Sequence, residues 1–178
     1  MNVHEQQEVL RTMEILVDTR EQPTERAKKR YQRFGCPHLR CTLSYGDYSY
    51  NATLPDGTKI YDISETVSPV CVVERKMSLD ELAACFCSGR RRFIREFERA
   101  ADAGARIFMI VENANWENLL NGKYRTKMAS KAFVASVVAF MVRFNMNLVF
   151  CKEESSGEII REILYRDLKE RLERGEFG

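Results

Sequence analysis

The second half of the chain alternates short apolar runs with segments of helical periodicity, and this alternation limits the possible folds most strongly. The apolar runs have the length and composition of buried strands and span Val70 to Val73, Arg106 to Val111 and Asn147 to Cys151. Between them, Arg90 to Ala103 and Ser130 to Phe144 repeat apolar residues at helical spacing. Strands that alternate with helices predict a mainly parallel sheet with helices on both of its faces.

The first half of the chain is richer in strands and predicts an antiparallel portion of the same sheet. Glu14 to Asp18 is a short apolar run that ends in a carboxylate and is typical of a strand. Leu39 to Thr53 and Lys59 to Ile63 also have the composition of strands, and a turn at Pro55 to Gly57 joins them. We therefore expect an α/β fold in which a central mixed sheet is flanked by helices.

The length of 178 residues suits one domain that spans residues 1–178. The sequence contains no internal repeat, linker or low-complexity segment that would divide it. We expect the core to cover about residues 14–151 and a C-terminal helix to cover residues 155–174, with Ser155 and Glu158 at its start. The proportions of apolar residues (44%) and charged residues (30%) are those of a soluble globular protein.

The sequence indicates an intracellular protein, cytoplasmic or associated with the nucleoid, and no contact with a membrane. No apolar run approaches the roughly 20 residues of a membrane span, and the N-terminus is too polar for a secretory signal. The six cysteines agree with a reducing compartment, and we interpret them as free thiols. Cys36, His38 and Cys41 leave a zinc site open as the lesser alternative, because a fourth ligand at suitable spacing is missing.

The formal net charge is only +2, but the cations are clustered along the chain. Three segments are rich in Lys and Arg: Arg26 to Arg33, Arg90 to Arg99 and Lys123 to Lys131. Such clusters can follow a phosphate backbone. They are equally compatible with solvated faces of helices and loops, so the charge pattern alone leaves both interpretations open.

An acid and a lysine two residues apart stand at the end of a predicted strand. Glu74 and Lys76 directly follow Val70 to Val73, and residues i and i+2 of a strand point to the same face. A second carboxylate, Asp47, lies in the preceding strand pair. Mg²⁺ prefers hard oxygen ligands, and phosphodiester hydrolysis also needs a cation or base near the attacking water. These residue types in this arrangement predict metal-dependent hydrolysis of a phosphodiester.

Four motifs in the same order resemble those of the XPF-type structure-specific endonucleases. The signature of that family is Gly-Asp, a variable spacer, Glu-Arg-Lys, three residues and Asp, and this chain has Gly46-Asp47, Glu74-Arg75-Lys76 and Asp80. The family also has Asp-x-Arg-Glu after its first strand, here Asp18 to Glu21, and Gly-Arg after the helix that follows, here Gly89-Arg90. The resemblance covers roughly Ile15 to Cys151 and implies a restriction-endonuclease-like (PD-(D/E)XK) core.

The resemblance also implies a role for each motif residue. Asp47 and Glu74 would bind Mg²⁺ or Mn²⁺, with help from a main-chain carbonyl near Arg75, and Asp18 would lie close to the metal or its waters. Lys76 would orient or activate the attacking water. Arg20, Arg75 and Arg90 would contact phosphates, and Glu21 and Asp80 would hold these cations in place. For Asp80, an ordinary acid in the first turn of a helix is an equal alternative.

Further contacts with DNA are expected from the helix that carries five arginines in ten residues, with Arg91 and Arg95 as the main candidates. The family usually has a glutamine shortly after Gly-Arg, and Arg91 to Arg95 offer none. The helix-hairpin-helix domain of larger members is also not found in this sequence. These departures leave the choice of substrate open within branched, flapped or junction DNA.

By resemblance, the nuclease domains of the family pair through helices beyond the active site, so we expect a homodimer. The candidates are Ser130 to Phe144 and residues 155–174, whose apolar stripe comprises Ile160, Ile163, Leu164, Leu168 and Leu172. The sequence thus predicts a metal-dependent DNA endonuclease. The alternative is a catalytically silent DNA-binding or scaffold partner, since the family pairs active with inactive subunits; the intact motif set favours the enzyme.

Overall fold

The computed structural model describes residues 1–177, and its centre is one six-stranded mixed sheet with the strand order β2-β1-β3-β4-β5-β6. The elements in chain order are α1 (Val3–Arg11), β1 (Glu14–Asp18), α2 (Glu25–Gln32), β2 (His38–Cys41), β3 (Tyr48–Asn51), β4 (Cys71–Lys76), α3 (Leu79–Phe86), α4 (Arg90–Asp102), β5 (Arg106–Glu112), α5 (Trp116–Leu120), α6 (Ser130–Phe144), β6 (Asn147–Cys151) and α7 (Glu153–Glu173).

The predicted division of the sheet into a parallel and an antiparallel portion is confirmed. Strands β4, β5 and β6 are parallel neighbours, and helices connect them. Strand β3 runs antiparallel to both β1 and β4, while β1 and β2 are parallel. Strand β4 lies between β3 and β5; β3 pairs with it at Val73, and its last residues, Glu74 to Lys76, pair with β5.

Helices cover both faces of the sheet and enclose two apolar cores. On one face, α3, α4 and α6 bring together a cluster of phenylalanines, in which Phe93 and Phe140 stack with ring centroids 5.3 Å apart. On the other face, α1, α2 and α7 pack over β1, β3 and β4. Parallel strands are apolar on both sides and need such a cover.

The apolar stripe of α7 belongs to this second core, and its proposed role in a dimer is wrong. Ile160, Leu164, Leu168 and Leu172 are fully buried against the chain's own sheet. Leu164 and Leu168 are therefore unavailable for a symmetry axis between two copies. The helix also begins at Glu153, two residues before the predicted start, and Ser155 lies inside its first turn, where its hydroxyl donates to the carbonyl of Lys152 at 3.1 Å.

Two predicted strands of the first half differ in the structure, and one helix was not predicted. The predicted strand Leu39 to Thr53 is divided into β2 and β3 by an irregular connection over residues 42–47. Lys59 to Ile63 is not a strand and makes one isolated bridge, between Thr53 and Lys59. The N-terminal helix α1 was not predicted, although Asn2 and Glu5 form a reciprocal capping box at its start.

The division of the long strand follows from the conformation of Gly46. Its φ of +71° lies in the left-handed region, and a Cβ at this position would lie 1.9 Å from Cγ2 of Val72. Only glycine fits here, so the chain turns between two strands at this point. The turn delivers Asp47 to the start of β3, next to the end of β4.

Strand β4 continues beyond the predicted end at Val73 and includes the whole Glu-Arg-Lys motif. Glu74, Arg75 and Lys76 pair in register with β5, so their side chains alternate between the two faces of the sheet. The Ser78 hydroxyl then caps α3 by accepting from the backbone N–H of Glu81 at 3.2 Å. Among residues 1–177, the helices are all too short or too polar to cross a lipid bilayer.

Candidate active-site cleft

An open cleft of about 790 Å³ lies where β4 ends, and the predicted metal ligands face it. Five acidic side chains from different parts of the chain line it: Glu21, Asp47, Glu74, Glu81 and Glu96. The cationic side chains that line it are those of Arg20, Arg26, Arg30, Arg75, Lys76, Arg92 and Arg99. The structure thus places carboxylates and cations from distant parts of the sequence around one space.

Asp47 is held in place by backbone contacts on all sides. Its N–H donates to the carbonyl of Val73 at 3.0 Å, and its own carbonyl accepts from the N–H of Asp18 at 2.9 Å. Its Oδ2 accepts from the N–H of Arg75 at 2.7 Å. The Asp47 carboxylate is thereby joined to β4 just beside Glu74, and its second oxygen remains available to a ligand in the cleft.

Glu74 and Asp47 are acids whose pKa values are raised by their position. Burial and, after it, the negative charge of Glu74 raise the pKa of Asp47 to about 8 against the opposing effect of Lys76. Burial also raises the pKa of Glu74, which Lys76 lowers and Glu96 raises. A cation between the two carboxylates would reduce their mutual repulsion in this partly buried site.

Lys76 lies beside these acids and stays protonated. Its ammonium pairs with the Glu74 carboxylate and lies 5.5 Å from the centroid of the Phe93 ring. Burial lowers the pKa of Lys76, but the carboxylates of Glu74 and Asp47 outweigh burial and raise it overall. A protonated ammonium cannot accept a proton from water, so this residue is suited to stabilising negative charge and not to acting as a base.

The donor set of the cleft fits a hard divalent cation. Mg²⁺ is commonly bound by one or two carboxylates, with water and substrate oxygens completing its octahedron. Asp47 and Glu74 offer carboxylate oxygens, and both carry raised pKa values that a cation would lower. Among residues 1–177, no three or more His, Cys, Asp or Glu side chains converge closely enough to form a complete ligand set. Metal at this position therefore depends on two protein carboxylates, water and substrate.

Asp18 lies behind the cleft, and its contacts differ from those expected for a residue near the metal. Its Oδ1 accepts from the N–H of Arg20 at 2.7 Å and from Nε of the same residue at 2.6 Å. Its Oδ2 accepts from the N–H of Leu43 at 2.8 Å. Both oxygens are thus occupied, so Asp18 holds Arg20 against the cleft and fixes the connection that leads to Asp47.

Arg75 faces the other side of the sheet and is enclosed by acids. Its guanidinium donates to Glu21 at 3.3 Å and to Glu112 at 3.2 Å. Glu112, at the end of β5, is fully buried and also pairs with Arg30 at 3.2 Å. A guanidinium held by two carboxylates is poorly placed for the predicted phosphate contact, whereas the predicted support from Glu21 is present. Glu112 was not expected from the sequence because it belongs to no local motif, and Arg30 was noted only as part of the basic cluster Arg26 to Arg33.

Asp80 holds a loop and not the cations of the cleft, which corrects its predicted position. Its Oδ1 accepts from the backbone N–H of Arg125 at 2.7 Å and of Thr126 at 3.0 Å. The alternative of a simple first-turn acid is also incomplete, because these two bonds connect α3 to the segment between α5 and α6. Asp80 lies outside the cleft lining.

The arginine helix α4 turns a different face to the cleft than predicted. Arg92, Glu96 and Arg99, at helical spacing i, i+4 and i+7, line the cleft. The predicted contacts Arg90, Arg91 and Arg95 are exposed and lie outside its lining. The signal was present in the sequence: the cleft-facing residues each precede a buried member of the apolar stripe, which comprises Phe93, Phe97 and Ala100.

Glu96 also stabilises the turn that presents Asp47. Its Oε1 accepts from the N–H of Gly46 at 3.0 Å and lies 3.8 Å from the Arg20 guanidinium. The same guanidinium donates to the carbonyl of Leu43 at 3.2 Å. The Glu96 carboxylate thus connects α4 to the Gly-Asp motif.

The comparison with protein families decides the identity of this architecture. The family model described as the ERCC4 domain matches residues 17–163. The chain belongs to the ERCC4 domain family. It is an XPF-type nuclease domain, and the resemblance that the motifs indicated is confirmed.

Solved structures show the same fold. XPF from Aeropyrum pernix matches at 20% identity with a TM-score of 0.58, over 86% of this chain and 61% of that chain. XPF from Aeropyrum pernix in complex with DNA matches at 21% identity with a TM-score of 0.60, over 89% and 66% respectively. The ERCC4 chain described here thus spans just under two thirds of the length of these structures, and its sheet has their restriction-endonuclease-like fold. A search of curated proteins found no match.

Proposed function

We propose that this ERCC4 domain is a divalent-metal-dependent endodeoxyribonuclease that hydrolyses phosphodiester bonds in branched, flapped or junction DNA. The observation that carries the proposal is the pair of carboxylates, Asp47 and Glu74, beside the protonated Lys76 on the floor of an arginine-lined cleft. The relative whose structure contains DNA supports the choice of polymer. A nuclease acting on cellular DNA would work inside the cell, in the cytoplasm or at the nucleoid.

The chemistry follows from the positions of the side chains. Mg²⁺ or Mn²⁺ held by Asp47 and Glu74 would supply Lewis acidity to the scissile phosphate and lower the pKa of the attacking water. Lys76 donates hydrogen bonds to the same space and stabilises the negative charge that develops on the phosphate oxygens. Arg92 and Arg99 on one wall and Arg20 on another bind the flanking phosphates and align the strand across the floor.

The preference for branched DNA rests on the family, and a substrate panel tests it. The full chain would be incubated with end-labelled flapped, forked, nicked, four-way and plain duplex DNA of the same sequence. We expect cleavage near the branch in Mg²⁺ or Mn²⁺ and none in EDTA. Cleavage of plain duplex at an equal rate would refute the branch preference. Binding without cleavage of any substrate, in either metal, would support the silent scaffold partner instead.

We further propose that two copies pair through the outer face of α6, since α7 is buried. Val138 and Val142 on this face are 42% and 81% exposed, and the neighbouring β6 is an edge strand of the sheet. Exposed apolar side chains next to an open edge favour an interface. Light scattering at micromolar concentration tests this: a mass near the 20.7 kDa of one chain would refute it. Val138→Glu with Val142→Glu should dissociate a dimer, and Arg166→Glu on α7 should not.

A further inference from the structure

The segment between α5 and α6, residues 121–129, carries three cations and no acid. We call it the basic loop. Lys123, Arg125 and Lys127 alternate with Tyr124, Thr126 and Met128, and the cations are exposed while the alternating residues are partly buried. The basic loop therefore presents a row of positive charges to solvent.

The basic loop is held firmly to the body of the protein. Asp80 accepts two of its backbone N–H groups, and the Tyr124 hydroxyl donates to the carbonyl of Met128 at 2.9 Å. The Tyr124 ring packs edge-on against Phe133 with centroids 5.2 Å apart. A row of cations that is already ordered loses less conformational entropy when it binds a ligand than a mobile row would.

Asp80, which holds the basic loop in place, also lies next to residues that line the cleft. Asp80 lies in the first turn of α3, between Met77 and Glu81, and both of these residues line the cleft. The Arg125 side chain is 96% exposed, and its Nε lies 3.5 Å from the Asp80 carboxylate, so its charge faces solvent. A strand of nucleic acid that leaves the cleft past the start of α3 would meet these cations.

The chemistry of the basic loop favours the backbone of a duplex. Proteins that bind single strands usually stack bases on exposed aromatic rings. The one aromatic residue of the loop, Tyr124, is packed into the protein and its hydroxyl is already bonded. Three cations without a stacking platform instead provide contacts with phosphates, which are independent of base sequence.

We propose that the basic loop is a second DNA-contact surface, which binds the phosphates of a duplex arm beside the cleft, and that Asp80 is its positioning residue. The proposal rests on the proposed function for its choice of DNA as the ligand. It adds a binding surface for one duplex arm of a branched substrate. It also assigns a task to the last acid of the Glu-Arg-Lys-x₃-Asp motif, which lies outside the cleft.

Binding measurements in a Glu74→Gln background, which prevents cutting, test the basic loop. The affinity for a 30-base-pair duplex would be followed by fluorescence anisotropy from 50 to 300 mM salt. Lys123→Ala, Arg125→Ala and Lys127→Ala together should weaken binding at least tenfold and reduce the log-log salt slope by about two to three. The matched control removes three cations from the C-terminal part of the chain, Arg166 and Lys169 of α7 and its C-cap residue Arg174, and should leave the slope near that of the parent. Equal slopes for the two triple variants, or a loss confined to single-stranded DNA, would overturn the proposal.

Variants of Asp80 separate positioning from catalysis. Asp80→Ala removes the acceptor of two N–H groups and should weaken duplex binding about as much as the loop variant. Asp80→Asn keeps a carbonyl acceptor and should restore most of the affinity. Mn²⁺ affinity, measured by calorimetry without DNA, should be unchanged in both variants. Loss of Mn²⁺ binding in Asp80→Ala would assign the residue to the metal and refute its role in the loop. If wild-type protein binds duplex through the loop but cuts no DNA, the nuclease proposal fails and the loop proposal stands.

Discussion

The two ends of β4 lie about 17 Å apart, and buried acids occur near both, but their charges are balanced to different degrees. At the start of the strand, Asp167 of α7 is 2% exposed and accepts from Tyr50 at 3.0 Å, Arg106 at 2.8 Å and Arg171 at 2.7 Å. At the end of the strand, Glu74 is 5% exposed, and among residues 1–177 it forms an ion pair only with Lys76.

The difference separates a structural acid from a functional one. Asp167 is surrounded by donors that satisfy its charge and join α7 to the sheet, so nothing further can bind it. Glu74 and Asp47 share a single ammonium, and burial raises the pKa of both. A buried carboxylate whose charge is not fully balanced destabilises the ligand-free protein. Binding of a cationic ligand balances that charge. A pair of neighbouring buried carboxylates that share one cation in an accessible cleft therefore indicates the site.

The largest effect on DNA cleavage is expected from removing either of the two carboxylates that share Lys76. Glu74→Gln and Asp47→Asn each delete one carboxylate of the cleft and should reduce the rate of DNA cleavage on the order of a thousandfold, equivalent to about 4 kcal/mol of barrier. DNA binding, measured by anisotropy, should persist because the arginines remain. Full activity in either variant would contradict the assignment of both metal ligands.

The matching change at the other end of β4 should affect stability and not cleavage. Asp167→Asn leaves Arg171 and Arg106 without their buried counter-charge, and we expect a loss of about 3 kcal/mol in the free energy of unfolding. Urea denaturation measures it. The cleavage rate per folded molecule should equal that of the wild type. A stable Asp167→Asn protein with slow cleavage would reverse the distinction drawn between the two ends.

The acids of the cleft should also make the metal-free protein less stable as the pH rises. Between pH 3.8 and about 8, folded Asp47 retains a proton that the unfolded chain has released. The free energy of unfolding therefore falls through this window. Asp47→Asn should flatten the profile, and Mn²⁺ should stabilise the protein more at pH 8 than at pH 5. A metal-free stability that rises from pH 5 to pH 8 equally in both proteins would contradict this account.

The smallest effect distinguishes the two faces of α4. Arg92→Ala with Arg99→Ala removes cations of the cleft and should weaken DNA binding about tenfold, with a reduction of one to two in the salt slope. Arg91→Ala with Arg95→Ala makes the same change in charge on the outer face and should have little effect. Anisotropy over a range of salt concentrations compares them. A larger effect of Arg91 and Arg95 would restore the expectation drawn from the sequence.

Much of the fold was predictable because its signals are local. The bounds of α6 and β6 agree with the predicted ones, since each is marked by its own periodicity and flanking residues. The pairing of Asp47 with Glu74 in one cleft was predicted from motifs at two strand ends. By contrast, the sequence did not show that the strand expected over Leu39 to Thr53 would be interrupted. The interruption occurs at Gly46, where Val72 of another strand leaves no space for a side chain.

The sequence by itself determined the strand that carries Glu-Arg-Lys, the helix that follows it and the two carboxylates of the cleft, because periods of 2 and 3.6 residues and helix caps are local properties. Only the tertiary structure decided where the other charges are used. Arg75 and Arg30 meet at Glu112, Asp80 meets a loop 45 residues away, and the stripe of α7 covers its own sheet. These interaction partners lie in distant segments of the chain. No local sequence pattern predicts how close the partners come or how deeply they are buried. Only packing therefore reveals which charges are satisfied and which remain for a ligand.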